Sequence, residues 1–249
     1  MTTLLWIVAA GVAMSAIALV GSIALLLPTG VLERILRPMV AFAAGTLLGG
    51  SLLHMLPGAI EVGGADPAVF VWMLAGFAAF FALEQFLHWR HCHHEFPDRA
   101  RQPLTYLVLV GDGLHNLLGG LAVGGAFIAD IRLGIGAWLA AAAHEVPQEL
   151  GDFGVLVHGG WEKRRALLFN ALSALTFLIG GLLAYGASLA ADVSFLLPFA
   201  AGNFLYIAAS DLVPEVKRDR DLRMNLLHFA CLVAGMALLY LLRVALEGM

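Results

Sequence analysis

Residues 133–158 read LGIGAWLAAAAHEVPQELGDFGVLVH. A helix needs roughly 20 mostly apolar residues to cross the hydrocarbon core of a bilayer, and this stretch is long enough. Yet His144 and Glu145 stand at its middle, where a charged group costs roughly 2.5–3.5 kcal/mol on insertion scales. Such residues persist inside a membrane mainly where they do something. The preceding apolar stretch, 103–128, carries Gly111-Asp112-Gly113-Leu114-His115-Asn116, and its midpoint falls at His115. Only residues 129–132 separate the two stretches, so they form antiparallel neighbouring helices. Two histidines, an asparagine and a carboxylate therefore meet at one depth.

Composition agrees with a membrane setting for the whole chain. Of 249 residues, 61% are hydrophobic and 13% charged, and mean hydropathy is +0.88. Soluble domains hold about 45–50% apolar and about 25% charged residues. That difference excludes a soluble enzyme and a disordered chain. A formal charge of −4 offers nucleic acid no polybasic surface. Cys92 and Cys231 make no disulfide framework.

Eight spans can be cut, at about 3–27, 38–60, 68–90, 103–128, 133–158, 165–190, 194–216 and 224–246. The reading is an all-α polytopic membrane protein whose single domain covers 1–249. Pro28-Thr29-Gly30, Gly63-Gly64-Ala65-Asp66-Pro67, Ala129-Asp130-Ile131-Arg132 and Lys163-Arg164-Arg165 mark breaks. The first stretch lacks the basic n-region of a signal peptide and is read as a span. Loops after odd-numbered spans hold Arg34, Arg37, Arg90, Arg99, Arg101, Lys163, Arg164, Arg165, Lys217, Arg218, Arg220 and Arg223. Only Arg132 and Arg243 lie on the other side. Lys and Arg are retained in the cytoplasm, so both termini are expected outside a cell (inner, or plasma) membrane. The outer loops offer Glu61, Asp66, Asp130 and Asp192, either an acidic mouth for cations or turn residues and N-caps.

Within each central helix the polar residues form stripes. Asp112, His115, Asn116 and Gly119 follow i, i+3, i+4, i+7; His144, Gln148 and Asp152 follow i, i+4, i+8, with Glu145 at the shoulder. Pro147 is expected to interrupt the second helix and free a carbonyl near residue 143. His115, His144 and Glu145 make a usual Zn²⁺ set with water as the fourth ligand. Asn116 and Gln148 would add oxygen contacts or hold the ligands by hydrogen bonds. The rival is an intramembrane zinc-dependent hydrolase of the H-E-x-x-H type. Here the fifth position is Gln148, and Pro147 lies inside the motif.

The segment His144-Glu145-Val146-Pro147-Gln148-Glu149-Leu150-Gly151-Asp152-Phe153 resembles the fifth-helix motif of the ZIP (Zrt/Irt-like) divalent-metal transporters, most closely the bacterial members. Gly111-Asp112-Gly113-Leu114-His115-Asn116 resembles the family's fourth-helix motif. Weaker echoes are Leu53-His54-Met55-Leu56-Pro57 and Tyr206-Ile207-Ala208-Ala209-Ser210-Asp211-Leu212-Val213-Pro214-Glu215. The resemblance implies an eight-helix 3+2+3 bundle that moves zinc or a related divalent ion into the cytoplasm, with no cofactor and with elevator-type alternating access among the proposed mechanisms. It also implies that His115, Asn116, His144, Glu145 and Gln148 contact the metal. Two positions depart from the pattern: Gly119 stands where many members carry an acid, and Gln148 where His or Glu is frequent. Both losses remove bridging anions, so a mononuclear site is expected.

Beyond the midplane, Asp112, Asp152, His158, Asp211 and Glu215 lie toward the cytoplasm and form a candidate exit pathway of weaker ligands. The alternative is interfacial pairing of Asp152, Asp211 and Glu215 with Lys163, Arg164 or Lys217. His54 and Pro57 lie in the outer half of span two and serve entry or packing. The cytoplasmic loop 88–102 holds His88, His91, Cys92, His93, His94 and Glu95, a soft tract that would sense or receive metal at low affinity. Asn170, Ser173 and Thr176 share one stripe of span six and are expected chiefly to bond between helices. Trp6, Trp72, Trp89 and Trp161 are expected as interfacial anchors. Lipid-facing small residues would permit a homodimer. A non-conducting metal sensor is the third function consistent with these residues, after a transporter and a hydrolase.

Overall fold

The computed structural model describes residues 2–20, 29–92, 101–158, 160–216 and 221–247, and no strand occurs among them. The chain runs α1 (Thr2–Ile17), α2 (Thr29–Gly49), a π-helical segment (Gly50–Met55) and α3 (Leu56–Gly63). It continues through α4 (Pro67–Cys92), α5 (Arg101–Ala129), α6 (Ile131–His158) and α7 (Lys163–Ser188). It closes with α8 (Leu196–Tyr206), a second π-helical segment (Ile207–Leu212), α9 (Val213–Val216) and α10 (Leu222–Glu247). Because each π-helical segment joins its neighbours without a break, the described residues form eight rods. The protein is an all-α polytopic membrane protein.

Hydrophobicity is distributed inside out. Glu149, Glu145 and His144 are 0%, 2% and 4% exposed, whereas Leu74 is 68% exposed. Leu168, Leu226, Phe229 and Leu241 are exposed as well. Leucine outside and carboxylate inside is stable only where the surroundings are lipid. By length and composition, five stretches of the described residues could cross a membrane: Thr2–Val20, Arg37–Gly63, Pro67–Gln85, Lys163–Ser188 and Leu222–Ala245. α5 and α6 fall outside that group because they carry the polar stripes. Their neighbours shelter them: α7 and α1 on one side, α2 and α8 on the other.

Two boundaries differ from the sequence expectation. α2 already begins at Thr29 and runs through Pro38, so Arg34 and Arg37 sit on a helix rather than in a loop. Hydropathy marks where hydrocarbon ends, and a helix built from Leu, Ile, Arg and Glu continues past that level. α6 is likewise continuous from Ile131 to His158, so Pro147 does not break it. In span two the consequence of proline is visible. Pro57 follows the π-helical segment and lacks the N–H that would bond the Leu53 carbonyl. That carbonyl instead accepts from Arg243 Nη1 at 3.2 Å, while Arg243 Nη2 reaches Glu61 Oε1 at 2.5 Å.

Close approach of backbones sets the central contacts. A Cβ on Gly120 would press on the Phe177 carbonyl, and one on Gly180 on the Leu117 carbonyl. α5 and α7 therefore meet backbone to backbone. The same reciprocal contact pairs α2 with α10 at Gly45 and Gly235, and α4 with α8 at Gly76 and Gly202. A continuous core of Met14, Leu47, Met55, Phe80, Phe127 and Phe204, among others, fills the space between these pairs. Trp161 is buried in a smaller cluster with Phe153 and Leu156. Arg165 lies 4.8 Å over its ring. It is thus packed rather than anchored at an interface, unlike Trp6 and Trp72, which are exposed.

Candidate metal centre

α5 and α6 run antiparallel and bring their middles together. His115 Nε2 lies 3.1 Å from His144 Nε2. Glu145 Oε2 lies 3.8 Å from the first nitrogen and 3.6 Å from the second. Around a tetrahedral zinc with bonds of about 2.0–2.1 Å, ligand atoms sit roughly 3.3 Å apart. The three atoms thus come close to one face of such a tetrahedron. His144 and Glu145 are buried and His115 nearly so. His144 Nδ1 faces the Ala140 carbonyl at 3.4 Å, which leaves Nε2 as the free electron pair. Phe80 stands edge-on to His115 and Phe204 to His144, so both rings are held by aromatic neighbours.

Asn116 and Gln148, expected beside the ion, are placed on Asp112. Asn116 Nδ2 donates to Asp112 Oδ1 at 2.9 Å, and Gln148 Nε2 donates to the same atom at 3.3 Å. Ser173 donates a short hydrogen bond to Asp112 Oδ2. Asn170 donates one to Glu149 Oε2. Thr176 reaches the Gly113 carbonyl at 2.6 Å. The stripe on α7 therefore bonds between helices, as expected, but two of its three members end on carboxylates of α5 and α6. Asp112, Glu145 and Glu149 form a second buried group whose oxygens converge.

Glu149 received no role from the sequence. The signal was available: Glu145 and Glu149 are one turn apart, and the antiparallel pairing that opposes His115 to His144 opposes Asp112 to the next turn of α6. Gly119, the position of the missing acid, faces Phe177, whose ring would lie 3.3 Å from a Cβ there. An aromatic ring packs against that position.

The other candidate residues are distributed as follows. Asp152 lies half-buried one turn beyond Gln148 on α6. The side chains of His158, Asp211 and Glu215, and those of His88, His91 and Cys92, lie outside the described residues, as do His93, His94 and Glu95 altogether. His54 is buried, with Nε2 against the Arg132 and Leu133 carbonyls at 3.2 and 3.3 Å. It lines a cavity of about 200 Å³ with Glu61, Asp130, Arg132 and Arg243. The four acids at this end are engaged locally. Asp66, Asp130 and Asp192 accept from the backbone N–H two residues on, and Glu61 pairs with Arg243. The N–H and hydroxyl of Ser194 hold the Asp192 carboxyl below its ordinary pKa. Turn chemistry accounts for Asp66, Asp130 and Asp192.

Helices turned inside out around two imidazoles and a carboxylate define a polytopic membrane protein with a buried side-chain cluster that could hold a metal ion. The chain belongs to the ZIP zinc transporter family, whose sequence profile matches residues 3–99 and 90–243. It is 30% identical over 281 residues to zinc transporter ZIP4 of Rattus norvegicus, covering 84% of this chain and 43% of the relative. It is 28% identical over 270 residues to zinc transporter zipt-7.2 of Caenorhabditis elegans, covering 84% and 58%. A Drosophila melanogaster zinc transporter ZIP13 homolog is 28% identical over 281 residues, covering 86% and 79%. The chain spans about half the length of the first two relatives.

Proposed function

We propose that this chain carries a divalent transition metal, zinc first among the candidates, through a cell membrane into the cytoplasm. The convergence of His115 Nε2, His144 Nε2 and Glu145 Oε2 at the middle of two buried helices carries the reading. Asn116 and Gln148 belong to the same centre through Asp112. In this reading the ion is substrate, not a resident cofactor. It reaches the histidines from the end bearing His54 and leaves past Asp112 and Asp152 toward His158, Asp211 and Glu215. The clustering of twelve of the 14 basic residues on one side supports a cytoplasmic position for that exit, with both termini outside. The loop tract His88, His91, Cys92, His93, His94 and Glu95 would receive or sense the ion there.

A hydrolase reading is less well supported. Gln148 donates to Asp112, so α6 presents one histidine rather than the two of an H-E-x-x-H site. The test is zinc uptake into vesicles reconstituted with the native chain, His115→Ala or His144→Ala. Uptake by the native chain and its loss in both variants is expected. Equal uptake by all three would overturn the proposal.

A further inference from the structure

We propose that Met224, His228 and Cys231 of α10 form a seat for a soft monovalent metal ion, Cu(I), at the seam between α10 and α2. The seat stands apart from the histidine pair of α5 and α6. It goes beyond the transport reading and does not depend on it.

α10 packs chiefly along α2. A Cβ on Gly45 would strike the Leu232 carbonyl, and one on Gly235 the Phe42 carbonyl. Away from that seam α10 is apolar and exposed, at Leu222, Leu226, Phe229, Val233 and Tyr240. His228 is instead 1% exposed, one turn before Leu232, and neither of its ring nitrogens has a hydrogen-bond partner among the described residues. A neutral imidazole carries one N–H and one lone pair, and a buried polar group left unpaired costs about 1–3 kcal/mol. Leucine fills the same seam without that cost at Leu239, three turns on. A histidine is retained where a hydrocarbon would pack, and its ring lacks a partner.

The neighbours of His228 on the helix identify that partner. Met224 and Cys231 are half-buried, whereas residues 225–227, 229 and 230 are exposed. Residues three and four apart share a helix face, and side chains lean back toward the helix N-terminus. The imidazole therefore covers the turn that holds Met224, and the Cys231 thiol, which is free, covers the turn that holds His228. Thioether, imidazole and thiol form one row about 10 Å long. Sulfur ligands of this kind select Cu(I), and imidazole accepts copper as well. Charge selects the same ion. α10 carries no acidic residue before Glu247, so a divalent ion would leave net positive charge on a lipid-embedded helix, which is costly. Cu(I) with one thiolate is neutral. As the Cu–S bond forms, the Cys231 S–H bond breaks and its proton passes to solvent, with no change in oxidation state.

The test uses the purified full chain in detergent, with His91→Ala, Cys92→Ser, His93→Ala and His94→Ala removing the competing loop ligands. Excess zinc occupies the α5–α6 pair, and Cu(I) is supplied as its bicinchoninate complex. The chain should take one Cu(I) and release one proton. X-ray absorption at the copper edge should show two sulfur neighbours and one nitrogen. Met224→Leu and Cys231→Ser should each remove a sulfur and weaken uptake about 10-fold or more, at least the loss that follows removal of an outer-shell partner. Cu(I) should raise the midpoint of dodecyl sulfate unfolding, and His228→Leu should abolish that rise. Failure to withdraw Cu(I) from bicinchoninate would overturn the inference. So would bound copper lacking sulfur or lacking nitrogen, and that result stands even if no variant folds. Equal uptake by folded His228→Leu or Cys231→Ser would overturn it too.

Discussion

Replacing Gly180 by alanine adds one methyl group where α7 crosses α5, and the structure fixes what that group meets. Its Cβ would press on the Leu117 carbonyl oxygen and lie 2.8 Å from the Leu121 nitrogen. A carbon and a carbonyl oxygen approach to roughly 3.3 Å at closest, so the helices would have to part by about 1 Å. Both obstacles are backbone and cannot rotate aside. Overpacking of this kind costs about 1–3 kcal/mol. Parting the helices also stretches the Thr176 bond to the Gly113 carbonyl and the Ser173 bonds to Asp112 and the Leu109 carbonyl, each worth roughly 1 kcal/mol. A loss of about 2–5 kcal/mol is expected in all. Gly186, on the same helix, supplies the control, because a Cβ there meets nothing within 4 Å. Alanine at that position should be neutral or stabilising by up to about 1 kcal/mol, from helix propensity alone. Reversible unfolding in detergent micelles titrated with dodecyl sulfate, followed by circular dichroism, measures both. If Gly180→Ala is as stable as Gly186→Ala, the backbone contact between α5 and α7 is not what holds the site's walls together.

Other substitutions probe the neighbouring contacts. Gly119→Asp should destabilise the protein, since its Cβ lies 3.3 Å from the Phe177 ring. Adding Phe177→Ala should recover part of that loss, and a double-mutant cycle of unfolding energies checks for a coupling of about 0.5–3 kcal/mol. Gly136→Ala would drive a methyl into the His54 imidazole and cost about 1–3 kcal/mol, read as faster amide hydrogen exchange at the start of α6. Glu61→Gln should cost less than about 1 kcal/mol, as exposed ion pairs do. Arg243→Met should cost more in the same dodecyl sulfate titration, because the Leu53 carbonyl loses its donor too.

Much of this architecture was legible because membranes make exceptions conspicuous. His115, His144 and Glu145 stood out against apolar flanks, and a short turn placed them opposite each other. Their convergence needed no further information. Glu149 was harder to read. It lies beside Gln148 in a stretch already rich in polar residues, and its role depends on which face of α6 meets α7. The place of α7 beside the pair is set by its backbone contacts with α5 at Gly120 and Gly180, which periodicity does not reveal. The stripe of Asn170, Ser173 and Thr176 was visible, but its partners were not. Arg132 and Arg243, the two exceptions to the basic-side rule, also make sense only in three dimensions. Arg132 closes on Asp130 across one turn, and Arg243 satisfies a carbonyl that Pro57 abandons. The early start of α2 was missed because hydropathy and helicity end at different places.

The π-helical segment Gly50–Met55 acts as a phase shifter for the rod that contains it. Gly45 and Gly49 press on Leu232 and Met236 of α10, whereas Ser51 bonds the Ala201 carbonyl of α8 at 2.7 Å and His54 meets the first turn of α6. A uniform α-helix repeats its facing every 3.6 residues or so, but a π turn holds an extra residue and offsets everything after it. Deleting one residue there would barely shorten the rod, yet it would swing His54 and all that follows by about 100°. The wider turn thus works as a one-residue insertion that lets a single span read two different neighbours, and its matching occurrence at Ile207–Leu212 places a second such offset in the other rod that a proline follows.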